Sequence, residues 1–402
     1  MKLSIEYTNN SRFVVTLACF MVACTQAGIT MYSSSMPYLV GVFRVSYAYI
    51  VYTLTAYLLG YAISMLFLGG ISDQIGRKKS YLIAISVFLV TSLALAFTKS
   101  LLAFIILRFL QGLGGGGCAI IGRASVRDVY EGKDLVKAMS YISISFIVSM
   151  GIFQFFGGLI QTYENYQLDF ICMFCLGLIG LTAIIFGFKE THHESKNYIN
   201  IARIMQDYWS ILKEKYLVKI ALGGGIGYSL LIAFNILGIY YLQHQLNISP
   251  SNIGMLGLYF SFSYLFGTLV TNILVNIYEI DLLIRVGKSI VLGSGIFAII
   301  AFSIWNDSTL LIVSPFLIGL FGQAILYPCA MTKALHPYKK LAGSASSLFG
   351  FIQQITGFFI SIIAGCLPAE NLISLAVISL VVGVVSFLLL NNLTIHQKNE
   401  MS

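Results

Sequence analysis

Long apolar stretches recur along the chain from end to end, separated by short polar turns, with no polar block large enough to fold by itself. A helix crossing a bilayer needs about 20 mostly apolar residues, because the hydrocarbon is ~30 Å thick and each residue rises ~1.5 Å. Twelve segments meet that requirement: 13–33, 50–69, 80–97, 101–122, 138–160, 170–188, 217–242, 253–277, 282–304, 310–331, 342–365 and 372–390. The pattern predicts an all-α polytopic membrane protein of about twelve transmembrane helices in two six-helix halves. The longest polar stretch follows the sixth segment. It predicts an N-terminal six-helix bundle over 1–188, a cytoplasmic linker over 189–216 and a C-terminal six-helix bundle over 217–402. Within the linker, Ile201, Ile204, Met205, Tyr208, Ile211 and Leu212 recur at helical spacing between Arg203, Asp207, Lys213 and Lys215. This predicts an amphipathic helix, lying on the inner leaflet or packed on the bundle.

Composition strengthens the membrane reading. Of the 402 residues, 58% are hydrophobic and only 10% charged, a balance that excludes water as the main solvent. The net charge of +8 has a topological origin. With the N-terminus inside, Arg44 and Lys99 alone of the 24 Lys and Arg fall in outer loops and Arg108 falls within a span, leaving the others on the cytoplasmic side. That asymmetry obeys the positive-inside rule, predicts an inner-membrane protein with both termini cytoplasmic, and needs no nucleic-acid partner. The first apolar run, preceded by Lys2, Glu6 and Arg12, continues without a good cleavage site and is expected to remain as an uncleaved span.

Candidate enzyme or metal chemistry is sparse. The seven cysteines lie within or at the ends of apolar stretches, and the CxxC of Cys172 and Cys175 has no second pair to complete a metal site, so packing explains it. His192 and His193, near Glu190 and Glu194, read as solvated surface, because adjacent residues on a helix do not share a face. No metal, no cofactor, no ATP-binding loop and no catalytic residue is expected.

Specific motifs go further. The segment GGISDQIGRKKSYL at 69–82 and RFLQGLGGGG at 108–117 resemble the major facilitator superfamily signatures between spans two and three and in span four. With GRASVRDVY at 122–130, LYPCAMTKAL at 326–335 and AGSASSLFGFIQQITG at 342–357, the chain is most similar to the Bcr/CflA drug-resistance subfamily. The resemblance implies that Gly69, Asp73, Gly76 and Arg77 belong to an inner latch between helices, with Arg77 pairing to Asp128 at the end of span four. A shorter match, IGRKKS at 75–80 against VGKS at 286–289, suggests that the loop after span eight repeats the loop after span two. The glycines at 112 and 114–117 lack the Lys and Ser or Thr of a phosphate loop and predict close helix packing.

The resemblance also has gaps. The acid expected at the end of span one is replaced by Thr30, and the span-five proline is absent, Gln154 standing three residues before Gly157. Every Asp and Glu falls in a loop, at a terminus or near a span end, Asp169 coming closest to membrane depth. Proton coupling, if present, therefore rests on Asp128, Asp169 or the substrate. Arg108, whose burial costs ~2.5–3.5 kcal/mol on insertion scales, is expected to face a cavity or a carbonyl cluster. Candidates for substrate contact or coupling are Arg108, Gln111, Arg123, Gln26, Thr30, Tyr32, Gln154, Asn235, Gln323 and Gln353.

These readings predict a secondary transporter, a monomer in lipid, moving a small molecule by rocking two halves around a central site. Export is implied by the resemblance, and a neutral or anionic substrate by the unpaired arginines. Import of a metabolite or siderophore by the same fold, and a membrane sensor without flux, are the alternatives.

Overall fold

The computed structural model describes residues 2–163, 165–192, 201–304 and 308–391. His193 and Glu194, weighed above as surface residues, lie outside them. Among the described residues, twelve helices are long and apolar enough to cross a membrane: Ser11–Ser33, Tyr47–Ile75, Arg77–Phe97, Leu101–Val129, Gly132–Gln161, Tyr166–Gly187, Tyr216–His244, Pro250–Leu274, Ile280–Ile304, Thr309–Tyr338, Gly343–Cys366 and Leu372–Asn391. We refer to them as spans one to twelve. Each overlaps a segment read from hydropathy, and several run a turn or two further. Helical hydrogen bonding continues past the apolar stretch, as in span four, where the polar Arg123, Arg127 and Asp128 still lie on the helix.

The chain folds as two six-helix halves. Span two packs along span eleven and span five along span eight, so these four helices make the seam between the halves. We call the end carrying Gly76 and the linker the basic end, and the opposite one the far end. The far end is closed. Tyr47 donates a 2.7 Å hydrogen bond to the Ile236 carbonyl, and its ring lies 4.3 Å from that of Tyr240. Gln243 of span seven donates to the Ser34 carbonyl at 3.2 Å, and Thr55 and Ser361 pair at 2.8 Å deeper in the seam.

Within the first half, spans two and four come into backbone contact. A Cβ at Gly60 would lie 2.1 Å from the Phe109 carbonyl oxygen, and one at Gly112 2.1 Å from that of Tyr57. The glycine run therefore serves helix packing, as the sequence suggested; lipid supplies no hydrophobic drive between helices, so van der Waals contact at small residues holds them together. Span seven is irregular at its centre, with a tight turn at Ile226–Tyr228 and a wide turn at Phe234–Gly238, a distortion that recurs at functional places in helices.

The linker contains the helix Ile201–Lys213. Tyr208 and Ile211 are buried, and Tyr208 donates a 2.6 Å bond to the Leu66 carbonyl of span two, while Met205, Trp209 and Leu212 are exposed. One expectation fails on register. Residues 286–289 do not form a loop: they lie inside span nine, which starts at Ile280, and Gly287 packs on Leu326 of span ten. The counterpart of the basic cluster is instead an ion pair of opposite polarity, Asp281 at the start of span nine with Lys333 near the end of span ten, at 2.5 Å.

Candidate functional site

Three groups of polar residues occupy the bundle. The first is at the basic end. Gly76 joins spans two and three at φ +97°, a conformation that favours glycine, and sets Arg77 at the first position of span three. The Arg77 guanidinium is nearly buried and reaches three partners: Asp128 through Nε (2.8 Å) and Nη2 (3.2 Å), and Asp73 and Ser72 through Nη1 (2.5 Å each). Glu190, which lies outside every motif named above, joins this cluster. Its carboxylate accepts from the backbone N–H groups of Arg77 (2.8 Å) and Lys78 (3.0 Å), so a negative charge caps the positive end of span three. A Cβ at Gly76 would meet that carboxylate at 2.7 Å, so this glycine supplies both the backbone angle and the room for the cap. Thr191 completes the cluster by donating to Asp128 at 3.0 Å.

All these partners belong to the first half and its linker, so the Arg77 pair ties spans two, three and four and the segment after span six to one another. It does not itself cross between halves. What crosses at this end is Arg127, whose Nη2 lies 3.5 Å from Ser346 Oγ, and the close approach of Gly69 to Ser347. Gly69, Asp73, Arg77 and Asp128 line a polar vestibule of about 490 Å³, completed by Tyr208 of the linker helix and Ser344 of span eleven.

The second group surrounds a cavity of about 160 Å³ between the halves. Arg123 is the one charged residue in its described lining, facing Tyr61, Tyr228, Tyr264, Tyr327, Gln353 and Gln354. Tyr327 donates to Gln353 at 3.0 Å, whereas the Tyr228 hydroxyl and the Gln354 side-chain carbonyl oxygen have no partner among the described residues. Gln323 touches the same space while its amide donates to the Gly224 carbonyl at 2.8 Å, pinning the irregular part of span seven. Methionines 65, 150 and 331 and Phe146 supply apolar wall. Of the ten candidate contact residues, Arg123, Gln323 and Gln353 line this cavity.

The third group is sealed inside the first half. Arg108 is fully buried and donates to Gly28 O at 2.7 Å and Gln111 Oε1 at 2.6 Å. Its guanidinium lies 4.5 Å from the Tyr32 ring centroid and 4.4 Å from that of Tyr57, so two aromatic faces take the place of a counter-ion. Gln111 passes the chain on to Ser92 at 2.8 Å, and the Tyr32 hydroxyl pairs with Thr53 at 2.6 Å. Arg108 thus meets the expected carbonyl, and it ties spans one, two and four together away from the central cavity. Thr30 is spent on the Gln26 carbonyl (3.1 Å); Gln26, Gln154 and Asn235 are buried with both amide atoms unpaired among the described residues, Gln154 against Gly257 of span eight and Asn235 in the wide turn of span seven.

Asp169 departs from the sequence reading. Span six begins at Tyr166, one turn earlier than hydropathy suggested, which carries Asp169 into the helix. It is fully buried, with Ser35 donating to Oδ2 at 2.6 Å and no partner on Oδ1 among the described residues. The bundle therefore holds a buried carboxylate as well as a buried guanidinium.

The sequence model of the Major Facilitator Superfamily matches residues 18–361. The chain belongs to the major facilitator superfamily. This major facilitator protein is similar to Multidrug resistance protein D of Escherichia coli (strain K12), with 26% identity over 342 residues covering 82% of each chain. It is 25% identical over 358 residues, 86% of each chain, to the Bicyclomycin resistance protein homolog of Haemophilus influenzae. Among solved structures, the D-xylose–proton symporter superposes with a TM-score of 0.71 over 95% of this chain and 97% of the other at 14% identity, a likeness of fold. The chain is a multi-pass membrane transporter and not an enzyme, and its relatives' names agree with the drug-resistance resemblance read from its motifs.

Proposed function

We propose that this transporter exports a small neutral or anionic molecule from the cytoplasm across the inner membrane by alternating access, the two halves rocking about the seam of spans two, five, eight and eleven. The observation that carries the reading is the chemistry of the central cavity: one arginine, four tyrosines and three glutamines, with no acidic residue in its described lining. A guanidinium in a space of low polarity attracts an anion or a carbonyl dipole and repels a cation. The tyrosine faces offer stacking surface, and the free Tyr228 hydroxyl and Gln354 carbonyl offer one donor and one acceptor.

The distribution of Lys and Arg supports placing the basic end and both termini in the cytoplasm. In that orientation the far end faces out and is closed, and the cavity lies nearer the cytoplasm, as an exporter waiting for substrate requires. The relatives named for drug resistance support outward direction. Everted vesicles test it: with an imposed pH gradient, neutral and anionic compounds accumulate and lipophilic cations do not, and Arg123→Gln lowers uptake of the anions most. Accumulation of cations alone would refute the substrate class, and flux only in right-side-out vesicles would refute the direction in favour of import.

A further inference from the structure

We infer that Asp169 is a proton-binding residue whose charge state controls closure of the far end through the break in span one. The break lies at Ser33–Ser35, where the first helix ends and a short helix, Met36–Phe43, begins. All three serines are fully buried. Two contacts converge there from opposite halves of the molecule. From the first half, Asp169 Oδ2 accepts the Ser35 hydroxyl at 2.6 Å. From the second half, Gln243 of span seven donates to the Ser34 carbonyl at 3.2 Å. The hinge thus joins a buried carboxylate to a far-end contact between the halves, their attachment points being the consecutive residues Ser35 and Ser34.

Among the described residues Asp169 makes no ion pair, and one of its oxygens has no partner at all. An ionised carboxylate taken from water with a single hydroxyl donor is held at large cost, while the neutral acid is tolerated. The titratable groups around it do not supply a direct counter-ion. Span one contributes Tyr32, whose hydroxyl is engaged with Thr53. Its own helix contributes Tyr166, near Tyr38 of the short helix, and Cys172. Span four contributes Arg108, which lies over the Tyr32 and Phe170 rings and spends its bonds on Gly28 and Gln111. Span three meets this helix with Ile85, Phe88 and Leu89.

Ionisation of Asp169 therefore requires water to reach it, and parting of the far-end seam at Ser34, next to the Ser35 hydroxyl that Asp169 holds, opens a route. Loss of the proton from the carboxyl favours opening; uptake of one proton on the carboxylate favours the closed arrangement. The inference uses the alternating movement of the halves and is independent of direction and substrate.

The test needs no substrate. Nitroxide labels are placed at Lys99→Cys and Gln245→Cys, both exposed at the far end, in full-length protein whose seven native cysteines are replaced, and the distance between them is measured by pulsed electron resonance from acid to alkaline pH. The expected result is a short-distance population that dominates in acid and gives way to a longer one in alkali. Asp169→Asn holds the short population at every pH, and Asp169→Glu and Ser35→Ala restore a transition with a displaced midpoint. If Asp169→Asn does not fold, Ser35→Ala alone decides, since a hinge unconnected to the acid leaves the midpoint where it was. A wild-type distance that ignores pH, or an Asp169→Asn protein with the wild-type transition, overturns the inference. Export failing in vesicles while this transition persists would count against the proposed function only.

Discussion

Replacing Asp128 by Asn and Arg77 by Gln, singly and together, asks how strongly the basic-end cluster is coupled. Arg77 is only 5% exposed and Asp128 15%, and two charge-assisted bonds join them. Breaking a buried ion pair costs ~3–5 kcal/mol because it strands the surviving charge. Here the stranding is partial. Arg77 retains Asp73, and Asp128 retains Thr191, so Asp128→Asn is expected to cost about 2 kcal/mol and Arg77→Gln about 3 kcal/mol, with the bonds themselves worth ~1.5–3 kcal/mol each. Because the two side chains share one interaction, the double variant should cost less than the sum of the singles by about 1–2 kcal/mol. Asp73→Asn, altering a side chain that is 54% exposed, should cost under about 1 kcal/mol. The assay is denaturant unfolding of the protein in mild detergent, followed by helical circular dichroism. Single-variant costs that add to within about 0.5 kcal/mol would refute the coupling.

Gly76→Ala must adopt a strained backbone and displace the Glu190 cap, and should lower stability by about 2–4 kcal/mol in the same unfolding assay, with Glu190→Gln showing only the smaller cap component, ~0.5–2 kcal/mol. Arg123→Gln should weaken binding of an anionic substrate about tenfold to a hundredfold by equilibrium dialysis, the loss expected for one hydrogen bond to a charged group. Burial pushes the Tyr208 hydroxyl, in the linker helix outside the spans, from 10.0 to about 12. Its folded value is the higher one, so its contribution to stability is complete below pH 10.0 and is lost as pH rises from there through about 12; Tyr208→Phe should flatten that part of the stability profile measured by thermal unfolding.

The spans were legible because lipid imposes a single rule, a long apolar helix, and the chain obeys it twelve times. The glycine run was legible for a related reason, since small residues in a span have packing as their ordinary use. Arg77 with Asp128 was reachable through the motif, whereas Glu190, 113 residues from Arg77, bears no local sign that it will cap span three. Asp169 was placed just outside the hydrocarbon because hydropathy starts a span at its first apolar run, while the helix itself starts at Tyr166 and buries the polar turn against the break in span one. Arg108 illustrates the opposite limit. Its depth could be read from sequence, but whether it faced a cavity or a neighbouring carbonyl depended on the rotation of span four, which contacts with Gly28 and Tyr57 decide. The match of 286–289 to the basic loop failed because four residues do not fix a helical register.

The movement of one half against the other is tested most directly at Thr55 and Ser361, whose hydroxyls meet at 2.8 Å across the seam of spans two and eleven. With both replaced by cysteine in a background free of the native seven, oxidation should join them and hold the far end shut. Transport into everted vesicles should then stop and return on reduction, with each single cysteine unaffected by oxidant. Undiminished flux through fully cross-linked protein would contradict alternating access by rocking of the two halves.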